Sequence, residues 1–300
     1  MRIRASGLRP ALAAAFLAVG WPCLGSAGEP GPSLSEVLER AAAYVVDYDT
    51  ALGNVIGRER YVQDVYEKVR RGYWERRNAA TRDWRLVRRT ALVADYGLVL
   101  VEGFEERFGL RDVIERDGKP LPRDDERLAS LLQELPADPA QRWRVLSGYS
   151  TRFDVGVRRN VNIPTFALLI LRPERRAGFR FRRDGSGTVH GVGAWRIAFD
   201  EERSPTLVTS GRGDDMPSRG KLWIEPATGR VLRTELLTEG KGRVTQARFE
   251  VTFRDEPRLG IWVPEKMKER ILSGNITTIG KADYSDFRRF DVELGVQLEE

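Results

Sequence analysis

Apolar and polar positions alternate with a period of two through most of the second half of the chain. The stretch from Gly220 to Phe290 shows it most plainly. Ala247, Phe249, Val251 and Phe253 fall on one side of an extended run, with Gln246, Arg248, Glu250 and Thr252 on the other. That spacing predicts a half-buried strand. Leu259, Ile261 and Val263 alternate again, followed by Met267 and Ile271. Pro226-Ala-Thr-Gly229, Glu239-Gly-Lys-Gly242 and Ser273-Gly-Asn275 read as the turns between runs, since Pro fixes φ and Gly supplies the positive φ that closes a short hairpin. The expectation is an antiparallel meander of about five strands, apolar on one face only. Upstream, Phe179 and Phe181 alternate, as do Trp195, Ile197 and Phe199, with Asp184-Gly-Ser-Gly187 read as a turn, Pro205 to Thr209 as a further strand and Arg212 to Asp215 as a loop.

The first half reads differently. Ser33 and Glu36 fit a capping box. Leu34, Val37, Leu38, Ala41, Val45 and Tyr48 then recur at helical spacing, predicting an amphipathic helix to about Asp49. Arg58 to Glu67 and Thr90 to Val101 read as strands, and Asp117 to Pro120 as a turn. Leu128, Leu131, Leu132 and Leu135 mark a short helix. Asp138-Pro139 is an N-cap with Pro at the first helical position, opening a helix with Trp143, Leu146 and Tyr149 on one side. Phe166 to Leu171 is apolar all round; a short buried helix or a central strand both fit, and Pro164 favours the helix. Helices cluster early and strands late, so the fold class expected is α+β.

Composition narrows this picture. The chain has 300 residues, 41% hydrophobic and 31% charged, which suits one large folded domain or two small ones. Arg2, Arg4 and Arg9, the apolar run Ala11 to Val19 and the small residues Gly25-Ser-Ala27 form a secretory signal peptide over residues 1–27, too short for a membrane span. Its loss takes three arginines from the 50 basic residues and leaves 47 against 44 acids, so the net charge falls from +6 to about +3. The one cysteine, Cys23, follows Gly20-Trp-Pro22, which is not a lipobox, and is expected to leave with the signal. The rest then has no thiol for a disulfide or a metal. The expected product is periplasmic or extracellular and does not span the membrane.

Two stretches carry a family resemblance. Gly220-Lys-Leu-Trp-Ile-Glu-Pro-Ala-Thr-Gly-Arg-Val-Leu-Arg233 resembles a strand–turn–strand hairpin, and Ala282-Asp-Tyr-Ser-Asp-Phe-Arg-Arg-Phe290 a closing motif, of the LolA/LolB-like bacterial lipoprotein carriers. The same likeness extends to a group of secreted proteins of about this length. It covers roughly Tyr61 to Phe290. The chain is longer than the simple carriers, with a helical and basic insertion expected around residues 71–162. The resemblance implies a strongly curved antiparallel half-barrel with helices over its concave side, where an apolar ligand such as an acyl chain is held.

Candidate chemistry follows. Trp195, Ile197, Phe199, Leu222, Ile224, Phe249, Val251, Phe253, Ile261 and Val263 form an apolar stripe that lines a lipid-sized pocket or simply an ordinary packed core. Arg70, Arg71, Arg76, Arg77, Arg85 and Arg88, with Trp74 and Trp84 between, form an anionic-surface site or a solvated face. Export excludes nucleic acid and leaves lipid head groups or an acidic envelope partner. The single histidine, His190, lies on an expected strand with no nucleophile or orienting acid in reach of sequence reasoning. The acid pairs Glu201-Glu202 and Asp214-Asp215 read as loop solvation. No phosphate loop or nucleophile elbow occurs. The sequence therefore points to a cofactor-free, non-catalytic binder of a hydrophobic molecule, lipid or acylated protein. The alternatives are an envelope interaction or sensor module with a filled core and, last, a hydrolase.

Overall fold

The computed structural model describes residues 31–53, 55–69, 84–100, 107–122, 134–159, 161–210, 213–240 and 245–289. The expected signal peptide, Cys23, Arg70, Arg71, Arg76, Arg77, Trp74 and Leu128 to Leu132 lie outside them.

The chain opens with helix α1 (Leu34–Leu52). Its start is fixed by the expected capping box: Glu36 N donates to Ser33 Oγ at 3.3 Å, and Ser33 N donates to Glu36 Oε2 at 2.7 Å. Val37, Leu38, Ala41, Ala42, Val45, Tyr48 and Leu52 make its buried stripe. Strands β1 (Val55–Lys68), β2 (Trp84–Leu100), β3 (Arg107–Arg116) and the two-residue β4 (Lys119–Pro120) follow as an antiparallel meander. Helix α2 (Pro139–Ser150) starts at Asp138, whose side chain accepts from Gln141 N at 2.8 Å. The apolar run Phe166–Leu171 forms a 3-10 helix and leads into the short helix α3 (Pro173–Arg176). A second meander then runs from β5 (Phe179–Val189) and β6 (Val192–Glu201) through β7 (Ser218–Ile224), β8 (Val231–Glu239), β9 (Thr245–Glu256) and β10 (Ile261–Ser273) to β11 (Ile276–Arg289).

The two meanders join because β11 pairs antiparallel with β1, from Val55 opposite Arg289 to Glu67 opposite Ile276. The result is one open sheet in the order β4-β3-β2-β1-β11-β10-β9-β8-β7-β6-β5. It is a curved half-barrel of the α+β class, with the chain's first and last strands side by side in the middle. Register shifts interrupt most ladders, among them those between Pro264 and Lys266 and between Arg183 and Ser186. Such bulges bend strands and deepen the twist that an open half-barrel needs. α1 and the 3-10 helix share one core with the inward side chains of both meanders, so the helical layer lies on one face of the sheet.

The five-strand meander over Gly220 to Phe290 is observed as β7 to β11. Four expectations need correction. Within the stretch read as a helical and basic insertion, residues 107–116 are a sheet strand, and the strand expected from Thr90 already starts at Trp84. Asp184-Gly-Ser-Gly187 is not a turn: β5 runs through it with a register shift, and the chain reverses at His190 and Gly191, both at positive φ. His190 is thus a turn residue, not a strand residue. Pro205 to Thr209 is a loop whose only ladder contact among the described residues is an isolated bridge from Thr209 to Asp215. Glu201 holds this loop by accepting from Leu207 N at 2.6 Å and Ser218 N at 2.8 Å.

Candidate functional site

Eight of the ten apolar stripe residues are buried: Ile197, Phe199, Leu222, Ile224, Phe249, Val251, Phe253 and Val263. They pack in the common core, where the Tyr48 ring of α1 meets Phe253 edge-on at 6.3 Å. Trp195 and Ile261 are half-buried against that core, and Arg183 lies 3.7 Å from the Trp195 ring centre. All ten belong to, or pack against, one hydrophobic core. Arg85 and Arg88 project from β2 into solvent.

Space opens elsewhere. A cleft of about 470 Å³ lies between the helical layer and the β2–β3 side of the sheet, and none of the ten stripe residues lines it. Val45, Tyr48, Asp49 and Leu52 of α1 form one wall, and Leu98 of β2 with Arg107 and Phe108 of β3 form another. Trp143 and Ser147 of α2, then Ile163, Phe166, Leu169 and Arg172, complete it. Trp143 is 45% exposed, an unusual state for a large apolar ring. Ser150 Oγ donates to Gly109 O at 2.8 Å and ties α2 to β3.

The cleft's polar groups are few. Asp49 Oδ2 lies 3.2 Å from both Arg107 Nε and an Arg172 Nη, so one carboxylate oxygen serves two guanidinium groups. Arg172 also approaches Glu174 at 3.6 Å. Arg107 Nε and Tyr48 Oη are buried, and neither makes a protein hydrogen bond among the described residues. Burial pushes the Tyr48 hydroxyl well above its usual pKa, so it remains a neutral donor.

A second polar assembly sits beside the cleft, under a strap made of residues 153–159 and 161–163. On β1 the inward positions 59, 61 and 63 are Glu, Tyr and Gln rather than aliphatic. Arg159 enters from the strap and donates from Nε and Nη2 to Glu269 Oε1 at 2.9 and 2.6 Å, and from Nη2 to Gln63 Oε1 at 2.7 Å. Tyr61 hydroxyl donates to Glu269 as well. Gln63 returns a bond from Nε2 to Phe153 O at 3.0 Å, and Val157 N donates to Thr278 Oγ1 at 3.3 Å. Next to it, Arg111 of β3 donates to Glu59 at 2.5 and 3.0 Å and to Asn162 O at 2.9 Å, and Tyr284 hydroxyl donates to Glu59 at 2.8 Å. Asp154 accepts from Arg159 N at 3.0 Å; burial pushes its carboxyl up to about 6 against the pull of Arg159. These groups chiefly bind one another, which makes the assembly a clasp for the strap.

His190 does have an acid partner: its Nε2 is 3.0 Å from Glu265 Oε2, on the exposed β5–β6 turn. Glu202 pairs with Arg180 at 3.1 Å, and Asp215 accepts from Thr206 N at 2.9 Å, so these acids hold surface and loop structure. Sequence reasoning missed the cleft and the clasp.

No family model and no curated protein matches the chain. Among solved structures it is similar to a DUF1329 family protein from Desulfovibrio piger, at 14% identity and TM-score 0.35 over 88% of this chain and 95% of that one. It is similar to a protein described as an outer membrane lipoprotein-sorting domain from Vibrio parahaemolyticus, at 13% identity and TM-score 0.32, over 88% and 94%. A LolA superfamily protein from Nitrosomonas europaea follows at 12% identity and TM-score 0.27, over 84% and 94%. Likeness at this level carries no argument about ligand or activity.

Proposed function

We propose that this protein binds a hydrophobic molecule, a lipid or the acyl chain of an acylated protein, as a non-catalytic carrier or sensor of the bacterial envelope. The cleft is the observation that carries this reading. Its volume of about 470 Å³ falls within the roughly 300–1,000 Å³ usual for small-molecule sites. Leu52, Leu98, Phe166 and Leu169 give it apolar walls, and an acyl chain gains about 0.8 kcal/mol for each CH₂ taken from water. α1 and the 3-10 helix, which form a wall of the cleft, also cover the apolar stripe; their displacement would release cargo by a shift of population. Among the described residues no helix is long and apolar enough to cross a membrane.

Native mass spectrometry with lipid extraction tests the reading on protein purified from a bacterial envelope. The wild type should carry lipid. Leu169→Glu, which places a charge on a half-buried cleft wall, should emerge empty. Trp195→Arg, away from the cleft, should still carry it. Loss of cargo in Trp195→Arg with retention in Leu169→Glu would move the site to the apolar stripe.

A second reading has its own support. Eight of the ten stripe residues are buried in the core shared with the helical layer, as expected of an interaction module that recognises an envelope partner by its outer surface. Lipid-free wild type that captures such a partner would favour it.

A further inference from the structure

We infer that the cleft selects a single-chain amphiphile with an anionic head, and that Arg107, Arg172 and the Tyr48 hydroxyl receive that head. The inference rests on the binding function proposed above and adds the ligand's chemical class.

Apolar walls alone would take any hydrocarbon. Three cationic or donor groups on the same cleft have another use. Arg107 and Arg172 both lean on one oxygen of Asp49 at 3.2 Å, and the other acid near Arg172, Glu174, is half-exposed. A guanidinium fork presents five N–H groups and can serve more than one oxyanion at once. Arg107 Nε, though 3.2 Å from Asp49, makes no aligned hydrogen bond among the described residues, and the Tyr48 hydroxyl, itself only 5% exposed, makes none either. Buried donors are nearly always satisfied, so two in one cleft call for an explanation. An oxyanion supplies several acceptor lone pairs at once and forms the stronger, charge-assisted bonds with Arg. A neutral alcohol head supplies far less. The cleft's residues thus divide into an aliphatic part, Leu52, Leu98 and Leu169, and a donor part that matches a carboxylate or phosphate.

Isothermal titration of the full chain with dodecanoate, dodecyl phosphate and dodecanol, each below its micellar concentration, tests this. The wild type should bind at least one of the two anions about ten-fold or more tightly than the alcohol, and the ratio between carboxylate and phosphate identifies the head. Arg107→Gln should bring the ratio of anion to dodecanol affinity down to about two-fold. Tyr48→Phe, which keeps the packed ring and therefore the fold, should lower anion affinity selectively. Equal wild-type affinity for anion and alcohol, or an undiminished preference in folded Arg107→Gln and Tyr48→Phe, overturns the head-group assignment while leaving the binding function standing. Failure of all three ligands to bind removes the cleft as a lipid site and the assignment with it.

Discussion

Arg159→Met is the perturbation whose size the structure fixes best. The guanidinium is 3% exposed and donates to Glu269, Gln63 and the carbonyl of Val157, the last at 2.8 Å. Methionine fills similar space but leaves the fully buried Glu269 carboxylate with no cation beside it, and Glu269 Oε2 already lacks a hydrogen-bond partner. Removing one member of a buried pair costs about 3–5 kcal/mol, because the other charge stays stranded in low dielectric. For a domain of this size that lowers the Tm by roughly 6–20 °C. Urea unfolding followed by tryptophan fluorescence should show the midpoint falling with the m value unchanged. The double variant Arg159→Met/Glu269→Gln removes the stranded charge and keeps an acceptor for Tyr61. It should recover at least about half of the loss, and the cycle should show clear coupling. A single-variant cost below about 1 kcal/mol, or fully additive effects, would refute the view that this clasp holds the strap.

Three further outcomes are expected. Asp154 has a raised folded carboxyl pKa of about 6, so its stabilising effect is present below the unfolded value near 3.8 and is lost as pH rises through 6; Asp154→Asn should gain on the wild type by about 1–3 kcal/mol between pH 4 and 7.5, and a pH-independent difference in chemical denaturation would contradict this. Gly229 sits at φ +75°, and a Cβ there would lie 2.2 Å from the backbone of Arg40 in α1, so Gly229→Ala should cost more than about 2 kcal/mol against about 1 kcal/mol for Gly274→Ala, whose Cβ meets open space; equal melting temperatures would show that α1 does not dock on that turn. Tyr48→Phe, which removes a buried hydroxyl without a partner, should raise stability by about 1 kcal/mol in the same assay that finds weaker anion binding, and a loss of stability would mean that the hydroxyl is satisfied in the free protein.

What the sequence made legible was local. Ser33 and Glu36 announced α1, Asp138-Pro139 announced α2, and Pro226 to Gly229 with the alternation after it announced the hairpins of the last five strands. Local signals misled where one residue type serves two geometries. Gly185 and Gly187 suggested a turn, yet they let β5 absorb a register shift, while the real reversal uses His190 and Gly191. Arg85, Arg88 and Arg89 hid only the start of β2, because charged side chains stand there in place of the apolar ones that mark a strand from Thr90 onward. The candidate site was not legible, because its contacts are long-range. Asp49 meets Arg107 and Arg172, Glu59 meets Arg111, and Tyr61 meets Glu269, 208 positions away. An inward Glu59 or Gln63 looks like surface until the strap that covers it is in place.

The claim on which the functional account turns is that an apolar chain lies between α1, α2 and the β2–β3 edge of the half-barrel. A crystal structure of the full chain with 12-bromododecanoate locates the chain end by anomalous scattering. The account expects the bromine deep in the cleft among Leu52, Leu98 and Leu169, with the carboxylate at Arg107. Bromine beside Phe249 and Phe253 beneath a displaced α1, or none in the cleft at saturating ligand, would contradict it.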